Sequence, residues 1–499
     1  MIRALLQVGF ISAQRGLDDT THKDINLLGK ILEELLTSAM SESADAADRD
    51  IAKALETAVG KMQEAIDGGF NRELQKLLPT FSLFGYPGLS DPQLLTETTL
   101  DVLRLLKDHT KVHYAGANGV NLPETYNGLG VRNLIFILLK LVEFFKSFKT
   151  LESAPGVHLV FIEEPEVHLH PQMQEVFISK LSEIAAAFAA KSSDGIPWPV
   201  QFVVTTHSSH VANKAPFESI RYFLAAPVAG PGSFRAARIK DLRGDLGPGQ
   251  EENRKFVHKY MTLTRCDLLF ADKAVLIEGT SERLMLPRMI DKVDAEMPNQ
   301  LPLSRQYVSA VEVGGAYAHC FFSLLSFLEL PTLVITDLDA VNNNRNACKV
   351  SEGTSTSNAC IKEWFGGNPI APAALLGKTE AEKTHGNRRL AYQIPEADGL
   401  PCGRSFEDAF MLANGTLFRF RGVTKEDREE EAWTLARDIK KSDFALEHGI
   451  LRLDWIVPRY IAEGLHWLAS QGAIPDNALP PPAEHSPDEE AVAPPEQTT

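Results

Sequence analysis

The most constraining feature of this chain is a recurring one: a short apolar run that stops at an acid. His158-Leu-Val-Phe-Ile162 runs into Glu163-Glu164, Ala274-Val-Leu-Ile277 into Glu278, and Leu333-Val-Ile-Thr336 into Asp337. Such runs suit strands buried on both faces, as in a parallel sheet. Each delivers its acid to the carboxyl end of a strand, where open α/β sheets hold their ligands. Gln201–Thr205 and Tyr307–Val311 read as further strands, and Gln172–Ala190 as a helix between two of them. The fold class is α/β.

Organisation along the chain follows the same texture. Residues 24–76 read as helical, with Ile25, Leu28, Ile31, Leu32, Leu35 and Leu36 at helix spacing. A second amphipathic stretch passes through Ile51, Leu55, Val59, Met62 and Ile66, and residues 93–108 form another helix. A long helix starts at Leu129 after a glycine-rich turn. Residues 227–250 read as loop or hairpin, 340–404 as a long insertion or several loops, and 422–470 as mainly helical. Pro475 to Thr499 carries seven prolines, several acids and no aromatic residue, the composition of a disordered tail. The domains are therefore expected at 1–265, with a helical or dimerisation segment near 24–110, and at 266–474, followed by the tail 475–499.

Composition narrows the functional classes. The 499 residues are 44% hydrophobic and 23% charged, which excludes a mostly disordered chain and a small stapled scaffold. Five scattered cysteines without a CxxC pair argue against a disulfide framework or zinc ribbon and fit a reducing, cytoplasmic setting. Leu129–Phe148 is the most apolar stretch, but Arg132, Lys140, Glu143 and Lys146 interrupt it, so no membrane association is expected. Fifty basic against 66 acidic residues leave a net charge of −16. That balance excludes a chain coated in DNA-binding charge, but permits a metal-bridged contact with nucleic acid.

The first acidic string is Glu163-Glu164-Pro165-Glu166-Val-His168-Leu-His170-Pro171. One acid of such a pair can hold Mg²⁺ through oxygen, and the next can polarise the water that attacks a γ-phosphate. A strand ending in a solvated acidic turn is the plain alternative. The whole string resembles the Walker B and D-loop region of ABC-type ATPases, in the branch that includes OLD-family nucleases and RecF- and SMC-like proteins. That resemblance implies Glu163 as the Mg²⁺-associated acid and Glu164 as the catalytic base. It also implies that His207, in Thr205-Thr206-His207-Ser208, senses the γ-phosphate, and that His168 and His170 belong to the D-loop helix start. Tyr126-Asn127-Gly128-Leu129-Gly130 resembles the signature loop, which implies that Asn127, Gly128 and Gly130 contact nucleotide on an opposite subunit and that the protein forms a homodimer. Glycines before a helix let phosphate approach the positive dipole end.

No G-x-x-x-x-G-K-[ST] occurs in the sequence. Gly377-Lys378-Thr379 is a decoy, because Pro372 occupies the first glycine's place and no strand precedes it. The expectation is therefore an incomplete ATPase lobe, with ATP held only if a missing Walker A lobe is supplied, for instance by a partner polypeptide.

The second constellation is stronger. In Glu278-Gly279-Thr-Ser-Glu282 the two acids are about one helical turn apart. Asp337-Leu-Asp339 follows 59 residues after Glu278, and strand alternation would send both aspartates to one side. Four clustered carboxylates repel one another, and divalent cations relieve this. Two metals can activate water and stabilise the leaving oxygen of a phosphodiester. Two unrelated acidic caps or turns are the plain alternative. Together the motifs resemble the TOPRIM domain, and VLIEGTSE-x-x-x-LP resembles that of the OLD family best. The resemblance implies Mg²⁺ or Mn²⁺ held by Glu278, Glu282, Asp337, Asp339 and Glu407. It makes Asp408 a weaker partner, and Lys441 of Lys441-Ser-Asp-Phe444-Ala445 a stabiliser of transition-state charge. Arg404 is a further candidate phosphate contact, and Val313-Gly314-Gly315 suits close backbone approach or a plain turn.

The implied protein is a partial ABC-type ATPase lobe with a helical insertion, followed by a parallel-sheet TOPRIM domain. It would be a metal-dependent DNA endonuclease, coupled to or regulated by the ATPase module, in phage defence or DNA repair. A RecF- or SMC-like repair scaffold and a non-catalytic regulatory subunit are the competing readings. The intact acidic set argues against the scaffold.

Overall fold

The computed structural model describes residues 5–13, 27–81, 99–109, 113–115, 121–123, 128–151, 153, 155–190, 197–225, 236–242, 259, 267–314 and 317–472. They divide into two compact units, one up to Pro216 and one from Phe217.

The first unit is built on three parallel strands in the order Leu6–Ile11, Val157–Glu163, Val200–Thr205. Leu6 stands opposite Val157 and His158 opposite Val200. One face of the sheet carries Ile11, Val160 and Ile162, which pack with Ile137, Leu141, Phe145 and Phe148 of helix Leu129–Lys149 and with Phe177 and Leu181 of helix Pro171–Ala190. The other face leaves Val8 and Phe10 exposed, with Phe10 stacked on Phe161 at 4.9 Å. The two amphipathic stretches expected within 24–76 are separate helices. They form Leu27–Ala39 and the long Ala46–Phe81, broken at Met40–Asp45, where the Ala44 amide closes a turn on the Ser41 carbonyl. Lys140 of the long core helix reaches Glu34 at 2.5 Å and ties the first of these helices down. The helix expected at 93–108 is Val102–His109, and 82–98 lie outside the described residues.

The second unit holds a five-stranded sheet in the order Thr384–His385, Arg388–Ala391, Thr332–Ile335, Lys273–Ile277, Val308–Glu312. All neighbours are parallel except the short first strand. Lys273–Ile277 and Thr332–Ile335 are buried at every position, as their unbroken apolar runs required. Lys273 opens its strand inside the core because its ammonium donates to the carbonyls of Leu468 (2.8 Å) and Ala469 (3.2 Å), at the negative end of helix Arg459–Ser470. Val275, Ile277, Leu333 and Ile335 face helices Thr280–Glu296, Phe406–Ala413 and Arg459–Ser470, with Phe410, Phe444 and Trp455 filling the space between.

One sequence reading is corrected here. The stretch 340–404 is not merely insertion or loop: Arg388–Ala391 is a full member of the sheet, pairing Thr332 with Arg388 through Ile335 with Ala391. Its opening arginines hid it from an apolar-run criterion. Arg389 is nonetheless buried, paired with Glu380. The segment Arg221–Asp241 contains a hairpin, Arg221–Ala225 against Ala237–Asp241. It belongs to the second unit, where its Lys240 donates to the Phe327 carbonyl and to Glu329 (2.7 Å). The compact units part at 216/217. The tail expected from 475 lies outside the described residues.

Candidate carboxylate site and the acidic turn of the first unit

The second-unit site is assembled at the carboxyl ends of three neighbouring strands. Glu278 leaves the Lys273–Ile277 strand, Asp337 follows Thr332–Ile335, and Gln393 follows Arg388–Ala391. Gly279 breaks the first strand into helix Thr280–Glu296, so Glu282 falls in the first turn with its carboxylate beside the helix start. Glu407 enters from the first turn of helix Phe406–Ala413. Lys441 opens the short helix Lys441–Leu446.

The polar contacts are dense. One oxygen of Glu278 accepts from the Thr336 hydroxyl, the Asp337 amide (2.9 Å) and the Asn358 side chain (2.9 Å). Gln393 donates to Asp337 at 2.7 Å. Glu407 accepts from Ser281 at 3.0 Å and from Lys441 at 3.0 Å. Asp339 is held by Arg404 at 2.6 Å, and the same guanidinium donates to the Ala340 carbonyl and lies 5.8 Å from the Trp433 ring centroid.

Glu282 and Glu407 are only 5% and 2% exposed, so their charges are poorly hydrated. Burial pushes Glu282 up to about 8, and the neighbouring charges of Glu407 and Glu278 add to the shift. Asp337 is raised well above the usual carboxylate range by burial and by Glu278 and Glu282. Burial also raises Glu278 against three hydrogen bonds that favour its ionised form, and it raises Asp339 against Arg404. Lys441 is raised although burial opposes it, because Glu407 and then Asp337 and Glu282 favour its ammonium. Buried acids that repel one another and offer hard oxygens suit a divalent cation. The acids surround a shared region without closing on one point: among the described residues, no group of three or more His, Cys, Asp or Glu is drawn tightly enough to hold a metal as it stands.

Two expectations change in detail. The strand ends at Ile335, so strand alternation does not place the two aspartates. Asp339 sits in the left-handed region (φ 47°) and is turned onto Arg404 instead. Asp408 caps its own helix, accepting from the amides of Arg404 (2.8 Å) and Ser405 (2.7 Å). Gly314 has φ 60°, so the glycine there serves a turn that other residues rarely adopt. Asn358 and Gln393 went unnoticed in the sequence, since amides carry no charge pattern and both lie within the stretch read as loops.

In the first unit, Glu163 ends its strand and accepts from the Ala13 amide at 3.2 Å. Glu164 adopts φ 42°, with its amide bonded to the Thr205 carbonyl, and stands 3.6 Å from His207. Glu166 accepts from the Thr206 hydroxyl and the His207 amide, both at 2.8 Å, and so ties the turn to the loop after the next strand. Gly130 has a local reason to be glycine: a Cβ there would lie 2.4 Å from the His168 carbonyl oxygen. Asn133 completes this seam with hydrogen bonds to the carbonyls of Pro165 and Val167. Gly128 precedes the helix, while Asn127 lies outside the described residues. Gly377 ends the short helix Pro372–Leu376 and Lys378 pairs with Glu382, so that stretch is no phosphate loop. No helix among the described residues is long and apolar enough to cross a membrane.

Comparison with known proteins agrees with both halves. Residues 2–212 match an AAA ATPase domain, and residues 269–339 match the Overcoming lysogenization defect protein-like TOPRIM domain. The chain thus resembles, in order, an AAA ATPase domain and an OLD-like TOPRIM domain. It is 26% identical over 486 residues to Endonuclease GajA of Bacillus cereus (strain HuB5-5), covering 89% of this chain and 66% of that protein. It is 24% identical over 230 residues to the OLD nuclease of Thermus scotoductus, covering 44% of this chain and 37% of that protein. It is 21% identical over 347 residues to the Old nuclease of Escherichia phage P2, covering 65% and 52%. The chain therefore spans just under two thirds, or less, of these relatives' lengths.

Proposed function

We propose that this protein is a divalent-metal-dependent DNA endonuclease whose nuclease centre is the carboxylate site of the second unit. The observation that carries the reading is the set Glu278, Glu282 and Asp337. Glu282 is buried and Glu278 and Asp337 are half-buried at adjoining strand and helix ends, all three are raised by desolvation and neighbouring carboxylates, and none has an ion-pair partner among the described residues. Mg²⁺ or Mn²⁺ bound there would supply water activation and neutralise charge on a phosphodiester. Glu278, Glu282 and Asp337 would hold it, with Asp339 and Glu407 beside them.

The other residues act on the substrate side. Lys441 keeps its ammonium beside Glu407 and is positioned to offer it to a phosphate oxygen. Arg404 holds Asp339 through one terminal nitrogen and can exchange that carboxylate for a phosphate. The names of the three relatives, all nucleases, support DNA as substrate, and the name Endonuclease GajA supports internal cleavage. The AAA domain would bind ATP through Glu163, Glu164 and His207, completed by surfaces these residues do not supply, and a homodimer or a partner polypeptide is the source we favour.

The test is plasmid nicking with Mn²⁺. Wild type should relax supercoiled DNA, and Asp337→Asn should lower the rate about a hundredfold or more. Equal cleavage by Asp337→Asn would refute the assignment.

A further inference from the structure

We infer that the buried carboxamides of Asn358 and Gln393 are positioning residues, fixing Glu278 and Asp337 for a cation without neutralising them. The inference rests on the metal-dependent reading above and adds two residues that the domain matches and the acidic motifs leave unassigned.

The geometry is reciprocal. Asn358 is 3% exposed, and its Nδ2 lies 2.9 Å from Glu278 Oε1, 2.9 Å from Thr336 Oγ1 and 3.0 Å from the Asp337 carbonyl. Its Oδ1 accepts from the Ile361 amide at 3.1 Å, capping helix Ala359–Trp364. An amide oxygen can only accept, so that cap fixes the side chain with its NH₂ toward Glu278. Gln393 is fully buried and built the same way. Its Oε1 accepts from the Leu338 amide at 2.6 Å, which turns its Nε2 onto Asp337 Oδ1 at 2.7 Å and Tyr460 Oη at 3.3 Å.

The choice of amide is physically informative. Asp339 and Glu407 are each held by a cation, Arg404 and Lys441. A cation beside Glu278 or Asp337 would cancel the charge that attracts a divalent ion and would compete for the same oxygens. A carboxamide donates a directed hydrogen bond at no cost in net charge. With Glu278 Oε1 engaged by three donors and Asp337 Oδ1 by one, the opposite oxygens are the ones left to face a cation. The outer partners of metal ligands set affinity in this manner.

The variants Asn358→Leu and Gln393→Met keep the approximate side-chain volume and remove the donor without adding a charge that could itself attract the cation. Two quantities are measured on the full chain: Mn²⁺ binding by calorimetry, and plasmid nicking as a function of Mn²⁺ concentration. Each variant should bind Mn²⁺ roughly ten- to a hundredfold more weakly. The Mn²⁺ concentration for half-maximal nicking should rise by the same factor, while the rate at saturating Mn²⁺ is largely recovered. A merely structural role would lower the saturating rate instead. Because the two amides sit on different elements, a folding failure in one variant leaves the other to decide. Unchanged or tighter Mn²⁺ binding by a folded variant overturns the proposal, as does a wild type that binds no Mn²⁺. A wild type that binds Mn²⁺ and loses affinity in the variants, yet cleaves no DNA, would overturn the nuclease reading and leave the brace standing.

Discussion

Both halves of the chain end apolar strands in paired acids, yet the two sites are built oppositely. In the first unit the Glu164 side chain is 40% exposed and His207 84% exposed, and the turn that carries them is secured by one acid, Glu166, and by Asn133 holding its carbonyls. In the second unit the acids are buried (Glu282, Glu407) or half-buried (Glu278, Asp337, Asp339), repel one another and are secured by side chains: Asn358, Gln393, Ser281, Arg404 and Lys441. A buried charged cluster must carry its own means of compensation, which a bound cation completes. An exposed acid–histidine pair needs no such shell and is free to meet another surface. On the proposed reading, the contrast separates a self-contained chemical centre from a set of residues that act with something brought to them.

The contrast is broken most directly by pH. Glu282 sits at about 8 against its ordinary 4.5, so the folded state holds that proton more tightly than the unfolded chain does. Its contribution to stability without metal is greatest below the ordinary value and is lost as pH rises toward 8. Metal must displace the same proton, so Mn²⁺ affinity should climb between pH 6 and 8 by up to about tenfold per unit for one proton released. Calorimetry in two buffers of different ionisation enthalpy counts that proton. An affinity flat across this range would mean the acids are already ionised, and the buried site would then behave like the exposed one.

A smaller effect tests the first unit. Gly130→Ala drives a methyl into the His168 carbonyl, both of them backbone-anchored, and should cost about 1–3 kcal/mol by overpacking. Gly128→Ala, two residues earlier in open space, should stay within about 0.5 kcal/mol. Thermal unfolding of the two variants measures the difference. Equal stabilities would show that the seam between helix Leu129–Lys149 and the acidic turn yields, and that backbone packing does not hold the turn.

How far these sites were legible follows from the kind of signal each part carries. The acid-terminated strands were visible because continuous apolarity is required of a strand buried on both faces, and Lys273–Ile277 and Thr332–Ile335 are buried throughout. Arg388–Ala391 was hidden because its first two residues are arginines, which ion pairing and aromatic contacts accommodate inside the fold. Glu278, Glu282 and Asp337 stand in the sequence at strand ends and a helix start, and the structure places them there beside one another. The turn of Asp339 onto Arg404 could not be read from the sequence, because it depends on a left-handed residue after the strand has ended. Asn358 and Gln393 were invisible for a related reason: a neutral amide becomes informative only once its neighbours in space are known.

The smallest effect is the most discriminating. Among the described residues, Glu164 and His207 draw their polar partners from the first unit, and Glu278, Asp337 and Glu407 draw theirs from the second. Sites that share no partner perturb each other little, usually by less than about 0.5 kcal/mol. Glu164→Gln and His207→Ala should therefore change Mn²⁺-dependent plasmid nicking, measured without nucleotide, by no more than about twofold. A large loss in either variant would mean that the exposed turn is part of the nuclease centre, and the two sites would have to be treated as one coupled unit. If the change is small without nucleotide and grows when ATP is added, the coupling runs through nucleotide binding, and the exposed acid–histidine pair is where it enters.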